Sequence, residues 1–216
     1  MATFTRPEVS VRRPQALPLN VPKWSVLYET DFRCSSDVRM FKPIPWSGTS
    51  ATFTWVGGLS YEARAGTTGV YEYNNILSPV RLLKARLYCR AKPVAWDSSV
   101  WNYAGLCYAY RDVNNRRYID LNFQTSTNNF GIKKVVGGNI TAIAQGSTPW
   151  GTTPLNTELE FTIMFDGSTH IATVKRLDTG QTLTISVSDS TEYGYVGLFN
   201  TRIYDLRFDH FRVERL

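Results

Sequence analysis

The chain has 216 residues, of which 43% are hydrophobic and 13% aromatic, and it carries a formal net charge of +6. This composition excludes wholesale disorder, because the chain has enough apolar side chains to bury a core, and a β-sandwich of this length is usually one domain. No apolar run approaches the roughly 20 residues that a membrane helix needs, so membrane insertion is not predicted.

Residues 1–23 are predicted to form an extended arm. Prolines at four positions fix the backbone and remove amide donors, so the segment can be neither a helix nor an inner strand. Four cations and one glutamate give the arm a charge of +3, which leaves the remaining 193 residues only mildly basic. The arm also has too many apolar side chains for a simple solvated spacer, which predicts an arm that lies along a surface. The residues expected to make that contact are Arg6, Val9, Val11, Arg12, Arg13, Leu17 and Leu19.

The arm's partner is left open by the sequence. The arm could lie on its own domain, dock on subunits of a larger assembly, or remain a flexible tail. Nucleic acid is the least favoured partner, because the cations lie on a tail without stacking aromatic residues. The segment also lacks the apolar stretch of a secretory signal. An odd cysteine count, with no metal-ligand spacing, predicts free thiols and folding in a reducing cytoplasm.

From residue 24 onward the pattern predicts strands and no helix. The opening strand is expected at residues 27–32 and a long strand at residues 81–90. Hairpin turns rich in Gly, Asn or Asp then follow at residues 112–115, 137–139, 166–168 and 178–180. Residues 158–165 alternate, so that Leu159, Phe161, Ile163 and Phe165 share a buried face. Short hairpins of this kind are typical of an antiparallel sandwich or barrel.

The order of these features resembles the concanavalin A-like lectin/glucanase superfamily, in its laminin-G-like and keto-disaccharide-hydrolase-like branch. The resemblance covers residues 24–216 and rests on the opening strand, the Gly57-Gly58-Leu59 turn, the hairpins, and a closing phrase at residues 194–199 and 205–213. It implies an all-β, antiparallel two-sheet jelly-roll sandwich whose concave face or edge loops bind glycans. That branch includes enzymes, carbohydrate-binding modules and attachment domains of bacteriophage particles.

The resemblance also implies a structural calcium ion between the first and last strands, with Asp31 and Asp209 as the corresponding positions. Calcium takes six to eight oxygen ligands, so two carboxylates need help from backbone carbonyls and water. His210 stands where a second acid is common in that branch, which weakens the case.

Aromatic and amide side chains predict a glycan site at one rim of the sandwich. The candidates are Trp96, Trp101, Tyr103, Asn128, Asn129 and Trp150, because flat rings stack on sugars and amides hydrogen-bond their hydroxyl groups. Core packing or contacts with a neighbouring subunit are the alternative for these rings.

Catalysis is not predicted. Two acid pairs, Glu29 with Asp31 and Glu158 with Glu160, could each share a strand face, but both fit solvated faces better. In glucanases of the superfamily that the chain resembles, a third acid follows the first pair, and here Cys34 stands in its place. His170 and His210 belong to no recognisable triad or metal cluster, so we expect surface or hydrogen-bonded histidines.

The sequence therefore predicts a non-catalytic structural or attachment protein of a larger assembly, most economically a bacteriophage virion. It would be made in the host cytoplasm, with the arm seated on capsid or tail and the lectin-like domain displayed as decoration or cement. A free-standing carbohydrate-binding module and a glycoside hydrolase are the alternatives. Homo-oligomerisation is left open.

Overall fold

A computed structural model describes residues 25–45, 52–56, 62–66, 73–96, 101–123 and 129–215. The predicted arm, its boundary at residue 23 and the candidate Asn128 lie outside these ranges. The elements are β1 Ser25–Thr30, α1 Ser35–Arg39, β2 Lys42–Pro45, β3 Thr52–Val56, β4 Glu62–Gly66, β5 Tyr73–Leu82, β6 Ala85–Trp96, β7 Tyr103–Asp112, β8 Asn115–Asn122, β9 Asn129–Val136, β10 Asn139–Ser147, β11 Leu159–Phe165, β12 Thr169–Arg176, β13 Thr182–Ser188, β14 Gly194–Thr201 and β15 Ile203–Arg215. Among the described residues, no helix is long and apolar enough to cross a membrane.

The strands form two antiparallel sheets. Within the described ranges, sheet I has eight strands in the order β13-β12-β11-β6-β15-β4-β3, with β1 also paired to β15. Sheet II has seven strands among the same residues, in the order β10-β9-β8-β7-β14-β5-β2. The predicted all-β, two-sheet jelly-roll sandwich is therefore confirmed. The first strand lies beside the last, with Thr30 opposite Phe211, as the family resemblance implied.

Turn chemistry explains which boundaries were predictable. The four hairpins with Gly, Asn or Asp in the turn form between β7 and β8, β9 and β10, β11 and β12, and β12 and β13. The single strand expected at residues 81–90 was wrong, because β5 ends at Leu82 and β6 begins at Ala85. Leu83 and Lys84 form that turn without any residue that marks it in the sequence. The short helix α1 was also not expected.

The core lies between the sheets and follows the period-two alternation of the strands. The four apolar residues predicted on one face of β11 are all fully buried, whereas Glu160, Thr162 and Met164 point outward. The four buried residues pack against inward residues of β6 and β15, including Leu87 and Phe211. Burying a large aliphatic or aromatic side chain contributes about 1.5–3 kcal/mol, so this layer stabilises both sheets.

His170 is a hydrogen-bonded core histidine. Its ring is fully buried, with Nδ1 2.8 Å from the Tyr108 hydroxyl and Nε2 2.8 Å from the Asp189 carbonyl oxygen. Since a carbonyl can only accept, Nε2 carries the proton and Nδ1 accepts from Tyr108. Burial lowers the pKa of His170, so the neutral form is favoured. Cys89 and Cys107 are buried free thiols as expected, and Cys34 is an exposed one.

Candidate functional site

The outer face of sheet II has glycine at three outward positions. Gly197 on β14, Gly105 on β7 and Gly131 on β9 alternate with residues whose side chains enter the core. A Cβ at Gly105 or Gly197 would collide with a backbone carbonyl group of the neighbouring strand. One row of outward positions across the sheet therefore reads Phe199, Gly105, Asp120, Gly131 and Gln145.

This outer face is apolar in one half and polar in the other. The apolar half is a second buried cluster, centred on Tyr118 and Phe199, whose rings stack with centroids 4.3 Å apart. The polar half occupies the C-terminal end of β8, the N-terminal part of β9 and the part of β10 that pairs with it. Its outward side chains, which we call the polar face, are Asp120, Asn122, Asn129, Lys133, Gln145 and Ser147.

Asp120 is the most unusual residue of the polar face. Only 3% of it is exposed, and burial raises the pKa of its carboxyl group to about 7, although the charge of Lys133 acts in the opposite direction. Its Oδ1 has no hydrogen-bond partner. A Cβ at Gly131 would lie 3.4 Å from that oxygen and 3.0 Å from Cε of Lys133. The carboxyl group thus lies beside a position without a side chain, next to a flexible lysine. A buried polar atom without a partner is rare and calls for an explanation.

Three of the predicted glycan residues lie at one end of the polar face. Tyr103 is opposite Asn122, and Trp101, 58% exposed, has its ring centroid 6.5 Å from that of Tyr103. Asn129 accepts a hydrogen bond from Ser147 at 3.3 Å. The structure therefore groups Trp101, Tyr103 and Asn129 on one surface.

The other two described candidates pack against the core instead. The ring of Trp96 lies 5.4 Å from that of Phe123, and Nε1 of Trp150 donates to Thr153 at 3.0 Å. Both side chains are partly buried against the main cluster. For these two, the packing alternative describes the structure better than the rim site does.

Sequence reasoning missed Asp120, Asn122, Lys133 and Gln145. The signal was present in β8, where Tyr118-Ile119-Asp120-Leu121-Asn122 alternates between two faces. A carboxyl group inside a strand flanked by buried aliphatic residues indicates an outward polar position. What the sequence does not give is that β9 and β10 continue the same polar row.

The outer face of sheet I carries a separate cavity of about 440 Å³. It is lined by Glu29, Arg86, Tyr88, Arg90, Thr162, His210, Arg212 and Glu214, and we call it the arginine cavity. The first predicted acid pair lies around His210, with Asp31 Oδ1 2.7 Å from Nδ1 and Glu29 Oε1 3.3 Å from Nε2. Burial alone would raise the pKa of Asp31, but hydrogen bonds from His210 and Arg33 outweigh it and lower the pKa.

The second acid pair is divided. Glu160 accepts a hydrogen bond from the Tyr88 hydroxyl at 3.0 Å, whereas Glu158 precedes β11 and is exposed. Burial, together with the charge of Glu160, raises the pKa of Tyr88 to about 12. In this arrangement His210 lies between the acids of the first pair and Tyr88 engages one acid of the second.

The two carboxylates suggested for calcium each face a cation. Asp31 contacts His210 and Arg33, and Asp209 lies 3.6 Å from Arg90. In the ranges that the structure describes, no three His, Cys, Asp or Glu side chains are grouped as metal ligands. These contacts give the calcium assignment no support, and it stays a prediction.

No protein-family model and no curated protein matches the chain in sequence. Solved structures match it in fold. A protein of unknown function with a galectin-like fold from Bacillus subtilis superposes with a TM-score of 0.64 at 11% identity, covering 88% of this chain and 96% of that one. The CBM2 module of the evolved Dit protein of Lactobacillus casei BL23 phage J-1 gives 0.59 at 12% identity, covering 89% and 96%.

An enzyme also matches, but only in part. Xylan β-1,4-xylosidase from Bacillus halodurans C-125 gives a TM-score of 0.60 at 10% identity, covering 94% of this chain and 41% of that one. At these identities the likeness shows the fold alone. The chain has the two-sheet jelly-roll fold that the resemblance implied, and its function has to be argued from its own residues.

Proposed function

We propose that this protein is a non-catalytic glycan-binding protein that holds its ligand on the polar face of sheet II. The observation that carries the proposal is Asp120, a buried carboxyl group whose Oδ1 has no partner and lies beside Gly131. Sugar hydroxyl groups would donate hydrogen bonds to that oxygen. Lys133 would have to move aside for the ligand to reach this oxygen, and the flexible stem of the lysine allows that movement.

The surrounding residues complete a sugar site. The amides of Asn122, Asn129 and Gln145 both donate and accept, which suits hydroxyl groups that do the same. Trp101 offers an exposed ring at the end of this face for the apolar side of a sugar. The lectin-like fold, shared with a phage CBM2 module, supports the same reading.

Trp101→Ala and Asp120→Asn are expected to weaken glycan binding while leaving the protein folded. Losing the ring contact should cost about 1 kcal/mol, or roughly fivefold in affinity. At pH 8, where the Asp120 carboxyl group is ionised, losing the charged acceptor should cost about 1.5–3 kcal/mol, or at least roughly tenfold in affinity. A glycan array identifies a ligand for the wild-type protein, and calorimetric titration with that glycan measures each variant.

The matched control is Trp55→Ala, which removes the same side chain from β3 of sheet I, where Trp55 is 38% exposed. Its affinity for the same glycan should equal that of the wild-type protein. If Trp55→Ala weakens binding as much as Trp101→Ala does, or if the array shows no glycan at all, the polar face is not a glycan site.

We further propose that the arm ties this domain to a larger assembly, with a bacteriophage particle as the setting. Support comes from the basic, proline-rich composition of residues 1–23 and from the likeness to the phage module. The domain would then serve as decoration, cement or attachment, made in the host cytoplasm and displayed on capsid or tail. A free-standing carbohydrate-binding module is the alternative.

Deleting residues 1–22 is expected to leave a folded sandwich that no longer enters the particle. Circular dichroism and thermal unfolding report on the fold, and mass spectrometry of purified particles reports on incorporation. Incorporation at the wild-type level would refute the docking role. Unfolding of the truncated chain would show instead that the arm belongs to the core.

Hydrolysis is the outcome that would replace this proposal. A glycoside hydrolase would release reducing sugar from the bound glycan, and Glu29→Gln or Glu158→Gln would abolish that release. The match to a xylosidase spans only 41% of that enzyme, so it lends no catalytic residue to this chain.

A further inference from the structure

The arginine cavity lies on the opposite side of the sandwich from the polar face. Its lining comes from outward positions of β1, β6, β11 and β15, whose alternate residues fill the core. At about 440 Å³ it falls within the range of pockets that hold small organic ligands. The glycan proposal does not use any of these residues.

Charge pairs hold the cavity's shape. Glu214, whose side chain is only 6% exposed, accepts from Nε of Arg86 at 2.6 Å and also from Arg212. Arg212 lies 4.0 Å from Glu29, and Glu29 in turn contacts His210. Glu214 is thus shared between two arginines, and Glu29 lies between Arg212 and His210, so each acid of this network already has partners.

Arginines outnumber glutamates in the cavity lining, and two of them keep an unused donor. Three arginines face two glutamates among the eight lining residues, before any charge on His210 is counted. Nε of Arg90 and Nε of Arg212 are buried without a hydrogen-bond partner. The other nitrogens of Arg90 are engaged, because its Nη1 lies 3.6 Å from Asp209 and the side chain hydrogen-bonds Tyr88, so Nε is the donor that it has left for a ligand.

We propose that the arginine cavity is a second binding site, for a saccharide that carries one carboxylate or phosphate group. The anion would pair with Arg90 and Arg212, because guanidinium groups bind both kinds of anion through two parallel hydrogen bonds. The sugar hydroxyl groups would meet the Thr162 hydroxyl and the Glu29 carboxylate. A neutral sugar would lack the charge-assisted hydrogen bonds to these two arginines and bind more weakly.

The test is a titration of the full chain, followed by amide chemical shifts, with glucuronate, glucose 6-phosphate and glucose. Binding of either acid, with shifts confined to β6, β11 and β15, supports the site, and the stronger of the two identifies the anion. Raising the salt concentration should weaken it, since the attraction is ionic. Equal binding of glucose, or no binding of either acid, would overturn the proposal.

Variants separate this site from nonspecific charge. Arg90→Gln should weaken binding of the acid at least tenfold, because it removes one charged donor pair. Lys175→Gln removes the same charge from the outer face of sheet I outside the cavity and should have no effect. Thr162→Val provides a second cavity variant if Arg90→Gln fails to fold, and it too should weaken binding. Equal losses of affinity in Arg90→Gln and Lys175→Gln would overturn the proposal. Asp120→Asn should not change the affinity of the arginine cavity.

Discussion

Replacing Gly197 with alanine is expected to destabilise the protein by about 3 kcal/mol or more. The new Cβ would lie well inside van der Waals distance of the Ile76 carbonyl oxygen on β5. That neighbour is backbone and cannot rotate away. β14 also cannot shift sideways, because it is hydrogen-bonded to β5 on one side and to β7 on the other. Urea unfolding of the wild-type and variant proteins measures the loss of unfolding free energy, provided that this free energy falls with urea concentration at the same slope in both.

Gly146→Ala is the matched control for that result. Gly146 lies on the edge strand β10 of the same sheet, and its new Cβ would meet side-chain atoms, with Ile185 Cγ2 at 3.1 Å. Side chains can give way by a few tenths of an ångström, so the expected cost is below about 1 kcal/mol. Similar losses in both variants would mean that the close approach of β5 and β14 is not what requires glycine.

Local chemistry determined what could be predicted of the fold. The turns at Gly138 and Gly180 could be predicted because glycine marks positions where a turn requires positive φ. The structure has both residues at positive φ. The turn at residues 83–84 carries no such residue, so two strands were predicted as one. The pairing of β1 with β15 spans almost the whole chain, and only the family resemblance indicated it.

The candidate site was harder to predict because it depends on which strands become neighbours. Trp96, Trp101 and Trp150 are alike in sequence context, yet only Trp101 is exposed on the outer face of sheet II. The environment of Asp120 is set by Gly105 and Gly131 on the two flanking strands. A single sequence gives the alternation of β8 but not the burial that these neighbours impose.

Replacing Asp120 with asparagine is expected to stabilise the folded protein at pH 8 by up to about 4 kcal/mol, with no gain at pH 4. Burial raises the pKa of this carboxyl group from 3.8 to about 7 in the folded protein. Between these two values the folded state binds more protons than the unfolded state, so wild-type stability falls as the pH rises. Above pH 7 the whole penalty of a buried charge is present. Asparagine has nearly the same shape and no charge to lose.

Unfolding free energies from pH 4 to pH 8 measure this difference, with Asp112→Asn as the control of opposite sign. Asp112 is exposed and accepts hydrogen bonds from Asn114 and Asn115, which lower its pKa, so its replacement should destabilise at neutral pH. A flat difference between wild type and Asp120→Asn across this range would show that Asp120 is not held in a buried environment.

Together with the binding measurement, the Asp120→Asn variant decides whether the carboxyl group serves a ligand. A residue that lowers stability at neutral pH and accepts no partner at Oδ1 is expected where function requires it. The expected pair of results is therefore a more stable protein that binds its glycan at least roughly tenfold more weakly. A more stable variant with unchanged glycan affinity would show that Asp120 does not take part in glycan binding. The proposal would then lose its main support.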